Sequence, residues 1–222
     1  MKPNTTRPLS KTAVEALSRA LVGGYSNTSK MPCRAWSIPA STCHTGSRLA
    51  QIKGTVCEDC YALKNFYAMP NVQTTLHKRL ETAADLEQWA ANHIRLIPLV
   101  ETSGYFRWFD SGDLQSIAML DAIATIARAL PGIKFWLPTK EHAFVAAWLK
   151  QGNTVPSNLT IRLSAYKLGA KAPAIAAKLG VHASTVNATT GLQCNAPKQD
   201  NACLDCRACW SKAVPSINYT KH

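Results

Sequence analysis

The spacing of apolar positions changes character along this chain of 222 residues, and each change marks an element. Ala13, Leu17, Ala20 and Leu21 recur at helical spacing, Thr12 and Glu15 form a capping-box pair, and Gly23-Gly24 ends the run. An N-terminal helix is therefore predicted. From Tyr25 to Cys60 the periodicity disappears and Ser, Thr, Pro and Gly dominate, which predicts an irregular segment. A stretch of that length without regular structure is uncommon in a compact domain unless it has a function. Leu76, Leu80, Ala83, Leu86, Ala90 and Ile94 restore the helical period and predict one or two helices ending at Pro98.

From Tyr105 onward, short apolar or aromatic runs alternate with helical patterns. Tyr105 to Phe109 reads as a strand and is followed by a helix carrying Ile117, Ala118, Ile123, Ala124 and Ala127. Ile133 to Leu137 precedes a helix around Phe144 to Leu149, Leu159 to Ala165 precedes one around Ala172 to Leu179, and Val181 to Val186 closes the series. Strands recurring at roughly 25-residue intervals with helices between them imply right-handed crossovers and a parallel sheet. The predicted fold is α/β, either a partial parallel β/α barrel or an open parallel sheet. It forms one domain over residues 1–222, with an N-terminal helix in 1–24, a cysteine loop in 25–64, a β/α core in 65–190 and a C-terminal cysteine segment in 191–222.

The candidate chemistry lies in eight cysteines. Cys33, Cys43, Cys57 and Cys60 form one set, and Cys194, Cys203, Cys206 and Cys209 form another; residues 61 to 193 contain none. Each set has the four thiolates that a tetrahedral zinc site or a cubane iron–sulfur cluster requires. The chain has no apolar leader-like run at its start and no stretch near 18 apolar residues, so it reads as a cytoplasmic protein with no membrane partner. A reducing compartment favours ligation over disulfides. The uniform gaps of Cys203-x-x-Cys206-x-x-Cys209 resemble ferredoxin runs and favour one or two 4Fe-4S clusters, with zinc as the alternative. Cys33 is equally readable as a free buried thiol, and His44 as a substitute ligand or a bystander.

Composition alters this picture in one respect. The chain has 46% apolar residues, enough for a substantial core, and a net charge of +12. Residues 61–149 are balanced at eight charges of each sign, so the excess lies in the two cysteine-bearing ends. Two four-thiolate sites would each contribute about two negative charges, leaving about +8. The remainder admits a nucleic-acid partner, although no run of adjacent Lys or Arg and no recognisable binding module supports one.

In a parallel α/β fold, small molecules bind at the carboxyl ends of the strands. The turn Asp110-Ser111-Gly112-Asp113 stands at such an end, which makes Ser111, Gly112 and Asp113 candidate cofactor-binding residues; Lys140 and Ser164, at later strand ends, join them, and Ser184 faces the same mouth. Asp113 has a second reading as the N-cap of a helix beginning at Leu114. His182 reads as a satisfied core histidine.

Cys57-x-x-Cys60-Tyr61-Ala62-Leu63-Lys64, Arg107-Trp108-Phe109-Asp110-Ser111-Gly112-Asp113, Phe135-Trp136-Leu137-Pro138-Thr139-Lys140 and Cys206-Arg207-Ala208-Cys209-Trp210 together resemble the phage gene product 88 family from about Ser29 onward. That resemblance implies a phage or mobile-element origin, hence a host-cell cytoplasmic location, and an iron–sulfur cofactor. A more distant similarity is to radical S-adenosylmethionine enzymes, with Cys43, Cys57, Cys60 and Ser111-Gly112-Asp113 in comparable places. It implies a small-molecule ligand such as S-adenosylmethionine and a redox or radical reaction of unknown substrate. The compact Cys-x3-Cys-x2-Cys of those enzymes is absent, since 13 residues separate Cys43 from Cys57. The competing expectation is a metal-stapled module that binds nucleic acid or protein without catalysis.

Overall fold

The computed structural model describes residues 9–221. Its first helix, α1 (Lys11–Val22), is capped two residues before the predicted cap. The Ser10 hydroxyl, not Thr12, accepts from the Ala13 amide at 3.2 Å, and Gly23 closes the helix in the left-handed conformation. The rest of the predicted N-terminal segment, residues 1–8, lies outside the described residues.

The stretch predicted as irregular contains two short strands, β1 (Ser26–Asn27) and β2 (Arg34–Trp36), and a short helix α2 (His44–Leu49). A three-residue strand is too short to show a period in sequence, and pairing with a neighbour is what makes it one. Two helices follow, α3 (Pro70–Thr82) and α4 (Leu86–Val100). Helix α4 runs past Pro98, because proline removes only its own amide and the Ile97 carbonyl still accepts from Glu101 at 2.9 Å. The strand–helix alternation then appears as β3 (Tyr105–Trp108), α5 (Ile117–Ala129), β4 (Lys134–Thr139), α6 (His142–Lys150), β5 (Leu159–Ser164), α7 (Ala174–Lys178) and β6 (His182–Val186). The series does not close at Val186. The C-terminal cysteine segment adds β7 (Leu192–Gln193) and β8 (Ser216–Tyr219).

These strands form one eight-stranded sheet in the order β1-β2-β3-β4-β5-β6-β8-β7, parallel throughout except for the β1–β2 pair. The sheet is open, with β1 and β7 as its edges. From β2 to β6 the strands lie in chain order, so right-handed crossovers place the connecting helices on one face. Phe106, Trp108, Phe135, Leu137, Leu159, Ile161 and Leu163 point to that face and meet Leu96, Ile97, Ile123 and Trp148 in the main core. The alternate positions Arg107, Trp136 and Thr160 are mutually paired on the opposite face, and Arg162 continues that row.

Helices do not cover this second face; the C-terminal segment does. Arg162 is fully buried there, in the middle of β5. Its guanidinium donates to the carbonyls of Cys209 (3.0 Å), Val214, Ala208 and Ser211 (each 2.9 Å) and Ala183 (3.3 Å). Thr160 donates to the Trp210 carbonyl at 2.8 Å, and the Trp210 indole donates to the Phe106 carbonyl at 2.9 Å. Trp210, Trp136 and Cys33 thereby form a second, small apolar cluster, with Met31, Tyr105, Cys209 and Tyr219 against it. His182 is half-buried on this side and donates to the Lys212 carbonyl at 2.8 Å, so it pins the same segment and is not a core residue.

In the main core, His93 packs edge-on against Trp36, Trp89 and Trp108 and is hydrogen-bonded to the Tyr25 hydroxyl at 2.9 Å. Burial, with the Arg79 charge adding to it, holds its pKa well below the ordinary 6.5. Below about pH 6.5 the unfolded chain gains a proton that folded His93 refuses, so stability falls as pH falls, at up to about 1.4 kcal/mol per pH unit from this group. Urea titrations of the wild type and His93→Gln between pH 7 and 5 will show that slope flattened in the variant. Arg162→Ala leaves up to five carbonyls without their donor. It is expected to cost roughly 3 kcal/mol and to expose the 194–211 stretch to limited proteolysis before the rest of the chain.

Candidate functional site

Cys43, Cys57 and Cys60 line one cavity of about 150 Å³ at the carboxyl ends of β3, β4 and β5. The loop that carries them is fastened to those ends. The buried Glu141 carboxylate accepts from the Thr45 amide at 2.7 Å and the Thr45 hydroxyl at 2.8 Å, which holds the first turn of α2. Farther along, the Val56 amide donates to the Tyr166 carbonyl at 2.9 Å, the Leu168 amide donates to the Gly54 carbonyl at 3.0 Å, and the Tyr166 hydroxyl donates to the Lys140 carbonyl at 3.0 Å.

Gly46, in α2, lies beside the thiols. A Cβ there would stand 3.0 Å from Cys43 Cβ, 3.5 Å from Cys43 Sγ and 3.8 Å from Cys57 Sγ, so both sulfurs face the same small space. Burial pushes the Cys43 thiol up to about 12, with Asp113 adding to the rise and Lys140 opposing it. Burial also raises Cys57, again against Lys140. Burial works against the Lys140 charge in turn, but Cys57, Asp113 and Cys43 outweigh it and hold the ammonium above its ordinary range.

Ser111, Gly112, Asp113, Lys140 and Ser164 line the same cavity as the three cysteines. Each is set by local structure. Phe109 has φ 53° and Gly112 φ 78°, so the chain leaves β3 through two left-handed residues. Gly112 is required twice over, since a Cβ would come within 2.3 Å of Ile38 Cγ1 and 2.7 Å of the Ile38 carbonyl oxygen. The Ser111 hydroxyl donates to that Ile38 carbonyl at 3.0 Å, and Ser164 accepts from the Ser184 hydroxyl at 3.1 Å. Asp113 does not cap a helix at Leu114, because α5 begins at Ile117 with the Ser116 hydroxyl accepting from Met119. Instead its carboxylate ties two strand ends together, accepting from Thr139 Oγ1 (2.6 Å), the Lys140 amide (2.8 Å) and the Leu114 amide (2.8 Å). Burial raises its pKa against the pull of Lys140 and these donors. His44 lies outside the cavity lining and donates to the Gln115 carbonyl at 3.2 Å.

Two further cavity residues, Arg107 and Asp110, were not singled out as ligand contacts from the sequence. Asp110 is buried; its Oδ2 accepts from the Tyr67 hydroxyl at 2.8 Å and its carbonyl accepts from the Tyr61 hydroxyl. Its Oδ1 and the Arg107 Nε are buried with no hydrogen-bond partner among the described residues. Burial opposes the Arg107 charge, and Tyr61, Asp110, Tyr219 and Cys209 around it more than compensate. The available signal was periodicity, since Arg107 occupies an alternate position in a strand whose other members are aromatic.

The second cysteine group lies under the C-terminal segment and includes Cys33, which the sequence had placed with the first set. Cys33 packs into the Trp136–Trp210 cluster beside Cys209. Burial pushes its thiol up to about 12, and Glu101, Arg107, Cys203 and Arg207 act on it in turn. The Cys203 amide donates to the Lys30 carbonyl at 2.9 Å and its sulfur is 3.9 Å from Met31 Sδ, so Cys203 is stitched to the turn before Cys33. Cys194 and Cys206 both act on Cys203, and Cys194 also acts on Cys209. The eight cysteines are thus divided three and five, not four and four. Among the described residues, no three His, Cys, Asp or Glu side chains are close enough to hold a single metal ion.

An open, mostly parallel α/β sheet with a thiol-lined cavity at its strand ends defines the structural class. The chain belongs to the Gene product 88 family, a phage gene-product family whose model matches residues 4–212, a span reaching well before Ser29. No curated protein and no solved structure was found to match. Among the described residues, no helix is long and apolar enough to cross a membrane.

Gly112→Ala combines an unfavourable φ with an overlap against backbone. It is expected to lower stability by roughly 2–3 kcal/mol, read as a drop in thermal midpoint, whereas Gly54→Ala, whose Cβ meets nothing within 4 Å, will cost less.

Proposed function

We propose that this protein binds a 4Fe-4S cluster through Cys43, Cys57 and Cys60 and uses it in a redox or radical reaction on a small molecule held in the adjoining cavity. The observation that carries this reading is the convergence of those three thiols on the cavity that Asp113, Lys140 and Ser164 also line. The donor set suits the group: three soft thiolates, with Gly46 leaving the space beside two of the sulfurs clear. A cubane carries its irons on alternate corners, so its ligands stand farther apart than those of a single ion. When bound, the cluster supplies an electron, and three protein ligands leave its fourth iron free for a ligand.

The remaining residues bind and orient. Lys140 balances thiolate charge at the cavity wall. The unpartnered Asp110 Oδ1 and Arg107 Nε offer an acceptor and a donor to a polar ligand. Asp113, with three hydrogen bonds already made, fixes the wall on which these groups stand. S-adenosylmethionine, with an ammonium and a carboxylate, is a ligand of matching chemistry. The C-terminal group is proposed to hold a second, auxiliary cluster.

Anaerobically purified protein is expected to be brown, with iron and acid-labile sulfide in equal amounts, and Cys43→Ser, Cys57→Ser or Cys60→Ser should each remove about half the iron if both clusters form. Dithionite and S-adenosylmethionine should then yield 5′-deoxyadenosine from the wild type only. A colourless protein containing zinc would overturn the iron–sulfur reading, and a loaded cluster without cleavage would overturn the S-adenosylmethionine form of it.

A further inference from the structure

Five cysteines in the C-terminal group are one more than a closed cluster or zinc tetrahedron needs, and the five differ in their surroundings. Cys33 is buried, Cys194, Cys203 and Cys209 are half-buried, and Cys206 is exposed. Four of them have structural reasons to stay in place. Cys33 is enclosed by Trp136 and Trp210, the latter anchored through its indole to the Phe106 carbonyl. Cys203 is tied by its amide to Lys30, immediately before the Cys33 turn. Cys194 is tied by its amide to the Asn218 carbonyl of β8 at 2.8 Å. Cys209 shares a hydrogen bond with the Tyr219 hydroxyl at 3.3 Å, and its own carbonyl is held by Arg162. Cys206 has only short-range bonds, from its amide to the Cys203 carbonyl at 2.9 Å and from the neighbouring Arg207 guanidinium to its carbonyl at 3.0 Å, inside a loop whose Asp200, Asn201 and Leu204 are left-handed.

We infer that Cys33, Cys194, Cys203 and Cys209 form the ligand set of the C-terminal site and that Cys206, in the middle of the Cys-x-x-Cys-x-x-Cys run, is a solvent-facing thiol outside it. The site then joins the two ends of the chain, with one ligand from the turn before β2 and three from the segment that covers the sheet. Metal at this site would staple residues 30–33 to the C-terminal lid across the polar face. The same partition leaves Cys43, Cys57 and Cys60 without a fourth protein thiolate. The inference rests on the reading that the C-terminal group holds a cluster, whose ligands stand farther apart than those of a single ion.

The test uses full-length protein reconstituted anaerobically with iron and sulfide, starting from the triple variant C43S/C57S/C60S so that only the C-terminal site can load. That protein should keep iron and sulfide. Adding Cys206→Ser should leave its metal content unchanged, while adding Cys33→Ser should lower it at least fivefold, with circular dichroism reporting whether the fold is kept. In wild-type holoprotein, iodoacetamide should label Cys206 at least tenfold faster than Cys194, Cys203 or Cys209, a readout that requires no variant. Loss of metal on Cys206→Ser with retention on Cys33→Ser would overturn the ligand set while leaving the cluster intact. Protection of Cys206 in the holoprotein that is lost on chelation would overturn it too. Failure of the triple variant to hold iron and sulfide at all would overturn the cluster reading of this group and the ligand set with it.

Discussion

A single buried cation organises the half of the molecule that helices do not cover. Arg162 has no carboxylate partner among the described residues; five carbonyl dipoles, four of them from residues 208–214, solvate it instead. A guanidinium cannot shed its proton to escape burial, so the strand carrying it requires a ring of oxygens, and the C-terminal segment is what supplies that ring. The shape of the segment follows from this requirement: it must turn back on itself to present Ala208, Cys209, Ser211 and Val214 to one point. Cys209 and Trp210 are therefore placed by β5, although they are nearly fifty residues away from it in sequence. β8 then enters the sheet beside β6, and Tyr219 reaches Cys209.

The carboxyl ends of the strands are organised on a different principle. There the backbone is strained and the strain is held by side chains. Phe109 adopts a left-handed φ and Gly112 another, and between them the chain presents Asp110 and Ser111 to the cavity. Such conformations persist where the surroundings over-determine them. Here the Ser37 hydroxyl accepts from the Asp110 amide, Ile38 exchanges bonds with Ser111, and Asp113 locks onto Thr139 and Lys140. The thiol-bearing loop is tied to the same ends by Glu141 and Tyr166. Three cysteines and a polar turn thus share one rigid frame, as a preorganised ligand site requires.

The strand–helix alternation from Tyr105 to Val186 was legible because each unit is long enough to display its period, and the cavity residues could be placed because parallel strands bring their carboxyl ends together. The short strands were not legible. β2 has three residues and β7 two, and their existence depends on partners, not on pattern. The grouping of Cys33 failed for the same reason. Only nine residues lie between it and Cys43 in sequence, but β2 is among them and carries the chain along the sheet, so the two thiols finish in different neighbourhoods. Arg162 was visible as the one charge within β5, yet nothing in its own strand said what would solvate it.

The positive charge of the chain looks different once its neighbours are known. Sequence alone allowed the basic ends to be a polyanion-binding surface. In the fold, Lys140 stands against Cys43 and Cys57, Lys30 and Arg107 against Cys203, Arg207 and Arg107 against Cys33, and Arg162 and Arg107 against Cys209. Five cations therefore face thiols, and one of them, Arg107, serves both neighbourhoods, because it also lines the strand-end cavity. A thiolate in a low-dielectric site needs a counter-charge, and placing that charge beforehand lowers the cost of deprotonation when a metal binds. Three of the five, Lys30, Arg162 and Arg207, belong to the basic ends of the chain, so a part of that excess is internal to the cysteine sites.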